Sequence, residues 1–509
     1  MSGDGLRVRG GVGGTTVGLA GLEAAAARLG DAAADVATSL GRTLLTAADP
    51  ALACVAPSVA TAAAVEGALA LAVGPAGLAG DAARLVALTT ATTATVAAYR
   101  AVDAEVARTV ELAQDAVMFA VGRHAPEAVV GVLALEALGV DVGEVLDRAV
   151  WRAPALADLA GGAEGLVAGL RADPLTAPLL VPGALAQGES PDSGGPRDYE
   201  DALEVLAGSA AVLGLLDDRA DVRVLAEPVV RQAASAPRSL EDLARGQGPL
   251  SDAADHPGRV RVVEVRSSAG SSWLVEVSGT QVWDPRAGPN PCDVTTDVRA
   301  MAGESTVLAR GVQEALEQAQ EQARAAAGTR AGADPDRDPS AEPVMLVGHS
   351  LGGIVAAGLA SSPVFTARHR VTHVVTMGSP VARMPVTAGV EVLSLEHRQD
   401  PVPRLEGASN PDRAGWVTAT RDLDARDVDA RDVDARDLGA RERRGSVAHG
   451  VGEYAATAAA VDRSTDPSLV AWREGSRRFF APADDAQVVV RDYRIARGPT
   501  GGVVAQSAP

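Results

Sequence analysis

Ten residues constrain the fold of this 509-residue chain more than any others: Val344-Met345-Leu346-Val347-Gly348-His349-Ser350-Leu351-Gly352-Gly353. Four apolar residues read as a buried strand and run directly into Gly-His-Ser-Leu-Gly. An apolar, Gly-punctuated segment over 354–360 then opens as a helix. A G-x-S-x-G between a strand and a helix is the context of a nucleophile elbow. There the serine sits on a tight, strained turn, and its hydroxyl projects above the sheet edge. Gly348 and Gly352 keep the turn free of side chains that would block neighbouring segments. The helix starting at Ser350 aims its N-terminal dipole and the free Leu351 N–H at the place where an oxyanion would form. Without that chemistry the stretch is a Gly-rich strand–helix turn.

Length makes two or three domains the expectation. The apolar fraction of 47% is mostly Ala and Val, with aromatics at 3%, which favours closely packed helices. A formal net charge of −20 argues against nucleic acid and against unaided binding to anionic lipid. The chain has no lysine; every basic residue is Arg. P-loop, Schiff-base and Ser-Lys mechanisms are thereby excluded. The lysine deficit and the Ala, Arg and Gly abundance fit codon bias in a GC-rich genome. Cys54 and Cys292 lie far apart without C-x-x-C spacing, so they form neither a zinc site nor a disulfide framework.

The N-terminal residues 1–14 are Gly-rich and lack an apolar core, so no cleavable signal peptide is read. From Thr15 to about Thr46 apolar residues recur at helical spacing, and a second helical stretch covers about 75–122. Residues 1–125 thus read as an antiparallel helical hairpin that needs another element or a helical partner, through 15–122, for its apolar stripe. The apolar run 51–80 is interrupted by Pro57, Glu66 and Pro75 and reads as packed helix, so no transmembrane segment is expected. Residues 126–250 read as further helices, with a Gly/Ser/Pro linker at 187–197. After a second linker the pattern changes. Short strands at 260–265, 273–277, 344–347, 371–377 and 390–395 alternate with helices such as 311–327. The fold class is α/β: a mostly parallel sheet over 258–496, preceded by an all-α region and followed by a disordered tail, 497–509.

A hydrolase triad on such a sheet runs nucleophile, acid, histidine along the chain. Of seven histidines, only His449 lies late enough; it sits on a small-residue loop before a helix. Asp400, just past the strand at 390–395 and fixed by Pro401, is the acid, with Glu396 the runner-up. The second oxyanion donor is placed in the turn Ser278-Gly279-Thr280, at the Thr280 amide. Between acid and base the unit Arg421-Asp422-Leu423-Asp424-Ala425 recurs with small changes through Ala440. Its five-residue period matches neither helix nor strand, so 421–445 reads as a solvated low-complexity insertion, or as a flap over the site. Residues 284–304 are a second lid candidate.

Residues 260–462 resemble the class 3 lipase family of α/β-hydrolases. The shared features are Ser-Gly-Thr after a strand, Asp293-Val294-Thr295-Thr296-Asp297, Gly-His-Ser-Leu-Gly-Gly, Gly378-Ser379-Pro380, Asp400-Pro401-Val402-Pro403 and His449. The resemblance implies Ser350 as nucleophile, Asp400 as acid, His449 as base, and Thr280 with Leu351 as oxyanion hole. It also implies hydrolysis of carboxylic esters, often lipids, without metal or cofactor. A phospholipase or thioesterase would use the same triad, and a silent hydrolase fold kept as an interaction scaffold is the reading from another class. Where the family has His-x-Gly-Phe before its long helix, this chain has Ala309-Arg310-Gly311-Val312. The surroundings of the site are poor in aromatics. In the front half, Tyr99-Arg100-Ala101-Val102-Asp103 resembles the Tyr-x-x-x-Asp/Glu export signal of WXG100-type substrates of type VII secretion in actinobacteria, without a Trp-x-Gly turn. The location is then cytoplasmic, or outside by a type VII-like route.

Overall fold

The computed structural model describes residues 5–49, 59–74, 76–124, 151, 160–172, 177, 199–212, 214–227, 237–252, 254–267, 270–328, 338–423, 446–480 and 487–499. The linker at 187–197, the insertion from 424 to 445 and Cys54 lie outside them. The chain divides into two compact units, Thr15–Val110 and Met1–Gly14 with Glu111–Pro509.

In chain order the elements are β1 (Leu6–Gly10), α1 (Thr15–Ala47), α2 (Val59–Val73), α3 (Leu78–Arg123), α4 (Ala163–Ala172), α5 (Tyr199–Val212), β2 (Val222–Ala226) and α6 (Leu240–Leu250). They continue with β3 (Arg259–Ser267), β4 (Gly270–Val277), α7 (Val294–Met301), α8 (Val307–Gly328), β5 (Pro343–His349), α9 (Leu351–Ser361) and α10 (Pro363–Arg368). The last are β6 (Arg370–Met377), β7 (Glu391–His397), β8 (Trp416–Arg421), α11 (Val451–Arg463), α12 (Pro467–Ser476) and β9 (Gln487–Arg497).

In the helical unit α1 and α3 run antiparallel, since Arg100 pairs with Glu23 at 2.6 Å and Thr89 lies beside Gly30. The run between them was expected to be packed helix. Within the described part, α2, Ala72 is buried while Val59, Leu71 and Val73 are exposed. A helix that is apolar on every side, as α2 is apart from Thr61 and Glu66, has no polar face to turn outward. Among the described residues, Ala62–Arg123 is long and apolar enough to cross a membrane by length and composition, with 12% of its most apolar window buried. Tyr99, on α3, is also exposed.

The larger unit is built on a nine-stranded sheet of order β1-β8-β7-β6-β5-β4-β3-β9-β2. Strands β4 to β8 form its parallel centre. β1 closes one edge antiparallel to β8, and β3, β9 and β2 extend the other edge antiparallel. Central strands read as continuous apolar runs because helices cover both faces: every residue of β5 is buried. Alternate side chains divide between two cores. Val344 and Leu346 face α8, α9 and α10, whereas Met345 and Val347 face α6, α11 and α12. The chain is thus a helical N-terminal region joined to an α/β-hydrolase-like sheet.

Three differences from the sequence reading concern sheet edges. Residues 6–10, expected with the hairpin, and Val222–Ala226, expected as helix, are strands. Five-residue edge strands carry too little alternation to be read locally. Arg497, assigned to a disordered tail, ends β9 with its side chain 5% exposed and hydrogen-bonded to Asp293 and Asp218. A buried guanidinium requires such carboxylates, and here they come from far up the chain.

Glycine is required where β5 meets α9. A Cβ at Gly348 would lie 2.0 Å from the Gly352 carbonyl carbon, and one at Gly352 would lie 2.2 Å from the Val277 carbonyl oxygen. Both obstacles are backbone, so neither can swing aside. Gly352→Ala is expected to lower stability by about 3 kcal/mol or more, read as a fall in thermal midpoint. An unchanged midpoint would show that β4 and α9 are less tightly apposed.

Candidate active site

In a parallel sheet the C-terminal strand ends lie side by side, so the loops that follow them share one edge. β4 leads into Ser278-Gly279-Thr280, β5 into Ser350, β6 into Gly378-Ser379-Pro380 and β7 into the turn holding Asp400. Register fixes these neighbours: Val277 is level with Gly348, His349 with Met377, and Met377 with Leu395.

Ser350 adopts φ 53° and ψ −124°, one of two described non-glycine residues at positive φ. A side chain held there costs about 1–3 kcal/mol and persists only where its surroundings over-determine it. They do. The Ser350 amide donates to Met377 O at 2.9 Å, and its carbonyl accepts from Gly353 and Ile354. Leu351 is the first residue of α9, where helix geometry leaves N–H groups without partners in the helix. Gly279 packs against this turn, and a Cβ there would stand 3.5 Å from Ser350 Cβ. The Gly279 amide is already bonded to Ser251 Oγ at 3.3 Å. The Thr280 hydroxyl donates to Asp297 at 2.9 Å, tying the turn to α7. Asp293 caps α7, and Thr295 and Thr296 are fully buried. The C-terminal part of the 284–304 segment is therefore a packed support for the turn rather than a lid.

Asp400 and His449 are brought together across 49 residues: His449 Nδ1 donates to Asp400 Oδ2 at 2.8 Å. The carboxylate is buried, while the imidazole is 14% exposed. Tyr454 Oη donates to the same Oδ2 at 2.7 Å, and the Val402 amide donates to Oδ1 at 2.9 Å. Burial by itself raises the Asp400 carboxyl. The adjoining His449, with the Tyr454 and Val402 donors, outweighs that and holds it below the usual carboxylate range. The runner-up acid, Glu396, instead accepts from Asn410 Nδ2, and burial pushes it up to about 7. No hydrogen bond joins Ser350 Oγ to His449 among the described residues. His349, the residue before the serine, sets its Nε2 2.8 Å from His449 O, and the two rings lie 4.5 Å apart. Burial, then the neighbouring His449, lowers His349 to about 3.

Three contacts here were not read from the sequence. Tyr454 stands one turn into α11, five residues after His449. Trp151, far up the chain, lies 5.5 Å from the His449 ring, so the site is not without aromatics. The start of the Arg-Asp repeat is anchored beside the acid: Gln399 bonds Asp422 Oδ1 and both the amide and carbonyl of Leu423. Leu423 then packs on Ala448. A nearest-neighbour reading of sequence has no signal for any of these. Among the described residues no cluster of three or more His, Cys, Asp or Glu side chains is gathered as a metal would need. Cys292 is free, its thiol beside Ser278 Oγ and pushed by burial up to about 12.

The fold is that of an α/β-hydrolase-like sheet. Comparison with protein families matches the model of the PGAP1-like alpha/beta domain to residues 293–425, which takes in Ser350 and Asp400 and stops short of His449. No curated protein and no solved structure matches the chain.

Glu276, two residues before the Ser278 turn, is buried, and its Oε2 lacks a partner among the described residues. Burial raises its carboxyl from 4.5 to about 7, against the pull of Arg261. Between those values the folded chain binds a proton that the unfolded chain does not, so stability falls as pH rises through the window. Glu276→Gln removes that titration. The thermal midpoint of the variant relative to wild type is expected to rise from about pH 5 to about pH 8. A constant difference would mean that Glu276 is ionised throughout.

Proposed function

We propose that the protein is a serine hydrolase that cleaves carboxylic esters through an acyl-enzyme. The observation that carries this reading is the Asp400–His449 hydrogen bond on the same sheet edge as the strained turn at Ser350. Ser350 Oγ attacks the substrate carbonyl carbon, and His449 Nε2 takes the hydroxyl proton. Asp400 holds the other ring nitrogen as donor and stabilises the imidazolium. The Leu351 and Thr280 amides receive the oxyanion. The C–O bond to the alcohol breaks, and the alcohol leaves with the proton from His449. Water, deprotonated by the same imidazole, then attacks the acyl group and restores Ser350.

Trp151 sets an apolar ring beside His449, which suits an ester of a lipid or a similarly apolar acyl group. The overlap with the class 3 lipase pattern supports the same substrate class. A phospholipase or thioesterase would run the same steps with a different leaving group. The helical unit Thr15–Val110 is proposed as an interaction or export module. The exposed apolar residues of α2 and α3 support a helical partner there, and exposed Tyr99 would be available to an export receptor.

On a short-chain p-nitrophenyl ester, Ser350→Ala is expected to abolish turnover, and His449→Ala to lower kcat on the order of a thousandfold. Asp400→Asn should lower kcat with little change in KM. Folded Ser350→Ala with undiminished turnover would remove the proposal. A p-nitrophenyl thioester measured alongside decides the leaving group.

A further inference from the structure

The loop that carries His449 is held by its backbone, and both carbonyls flanking the base are taken. His349 Nε2 meets His449 O, and His397 Nδ1 lies 2.6 Å from Ala448 O. A carbonyl only accepts, so each of these ring nitrogens carries its proton. His397 ends β7 and is 2% exposed. Its other nitrogen, Nε2, lies 2.7 Å from Thr457 Oγ1 on α11. With Nδ1 protonated in the neutral ring, the Thr457 hydroxyl donates to Nε2 and fixes that tautomer.

The same ring stacks on Tyr454, with centroids 4.1 Å apart and planes 19° from parallel, and the Tyr454 hydroxyl bonds Asp400. The His397 carbonyl accepts from the Asp400 amide at 3.2 Å. The side chain thus reaches the backbone beside the base and the ring that bonds the acid, while the backbone of the same residue holds the acid's own turn. A core that needed only volume between Tyr454 and α11 would be filled more cheaply by an apolar residue than by two buried nitrogens.

We infer that His397 is a positioning residue: its Nδ1–H, oriented by Thr457, fixes the Ala448 carbonyl and so sets His449 between Asp400 and Ser350. This rests on the triad proposed above. His397 does not touch the reacting atoms; it limits how far the base loop can drift. The mobility it suppresses costs rate rather than substrate binding, because proton transfer is sensitive to displacements of an ångström or less.

The test compares full-length wild type, Ser350→Ala, His397→Asn, His397→Leu, Thr457→Ser and Thr457→Val. Each is measured for kcat and KM on a short-chain p-nitrophenyl ester, for thermal midpoint, and for the low-field proton resonance of the His449–Asp400 bond. Asn places an N–H at the same distance along the side chain as imidazole Nδ1, so His397→Asn should keep most of the wild-type kcat and the low-field resonance. His397→Leu should lower kcat on the order of a hundredfold with KM nearly unchanged, and broaden or lose the resonance. Thr457→Ser should match wild type, and Thr457→Val should fall between. The Thr457 pair decides the matter if His397→Leu does not fold. Folded His397→Leu or Thr457→Val with wild-type kcat overturns the inference while leaving the triad standing. Equal losses in His397→Asn and His397→Leu reduce the residue to packing and also overturn it. Wild type no faster than Ser350→Ala overturns the triad, and this inference with it.

Discussion

The left-handed backbone at Ser350 is the constraint on which the rest of the site depends. A serine at φ 53° is unfavourable, and here it is locked by the Met377 carbonyl on one side and the first turn of α9 on the other. That lock requires β4, β5 and α9 to approach to backbone contact, which Gly348 and Gly352 permit. The close approach in turn requires strands buried on both faces, because a solvated edge would not hold the turn under strain. The two cores, divided by alternate residues of the same strands, provide that support. Strain at one residue is thus carried by the packing of the whole sheet.

Around the turn, electrostatics does the positioning. The chain has only Arg as a permanent cation, and the planar guanidinium suits buried, two-pronged contacts with carboxylates. Arg497 ties Asp218 and Asp293 together, Arg491 meets Glu264, and Arg261 meets Asp492. The first of these holds the α7 cap whose Asp297 bonds Thr280, so an ion pair near the C-terminal end of the sheet supports the turn beside Ser350. The histidines play the opposite part. His349 and His397 are held neutral by burial, at about 3 and about 4, and so stay fixed donors to carbonyls across the neutral range.

What was legible in the sequence follows from how local each signal is. The elbow is contiguous, so strand, turn and helix were readable from ten residues. Asp400 was singled out because a strand end and a proline mark it, and His449 because seven histidines allow elimination; the structure joins the two by a hydrogen bond. The remainder depends on long-range contact. β1 joins β8 from the other end of the chain, and Arg497 finds its carboxylates, Asp293 and Asp218, 204 and 279 residues upstream. Trp151 reaches His449 from outside the sheet altogether. His397 was passed over because it precedes the acid, a rule about reacting groups that says nothing of groups that hold them. The periodicity of the front half pointed to two long helices, and α1 and α3 run antiparallel, with several apolar residues of α2 and α3 exposed.

The central claim is that Ser350 carries the acyl group, and it is tested most directly by finding that group. Wild-type protein mixed with an excess of a slowly released p-nitrophenyl ester, quenched in acid and digested, should yield one acylated peptide, with the acyl mass on Ser350. Release of p-nitrophenol should show a burst of about one equivalent per chain before the steady state. Acylation of another residue, or turnover with neither burst nor adduct under any rate-limiting regime tested, would contradict the account.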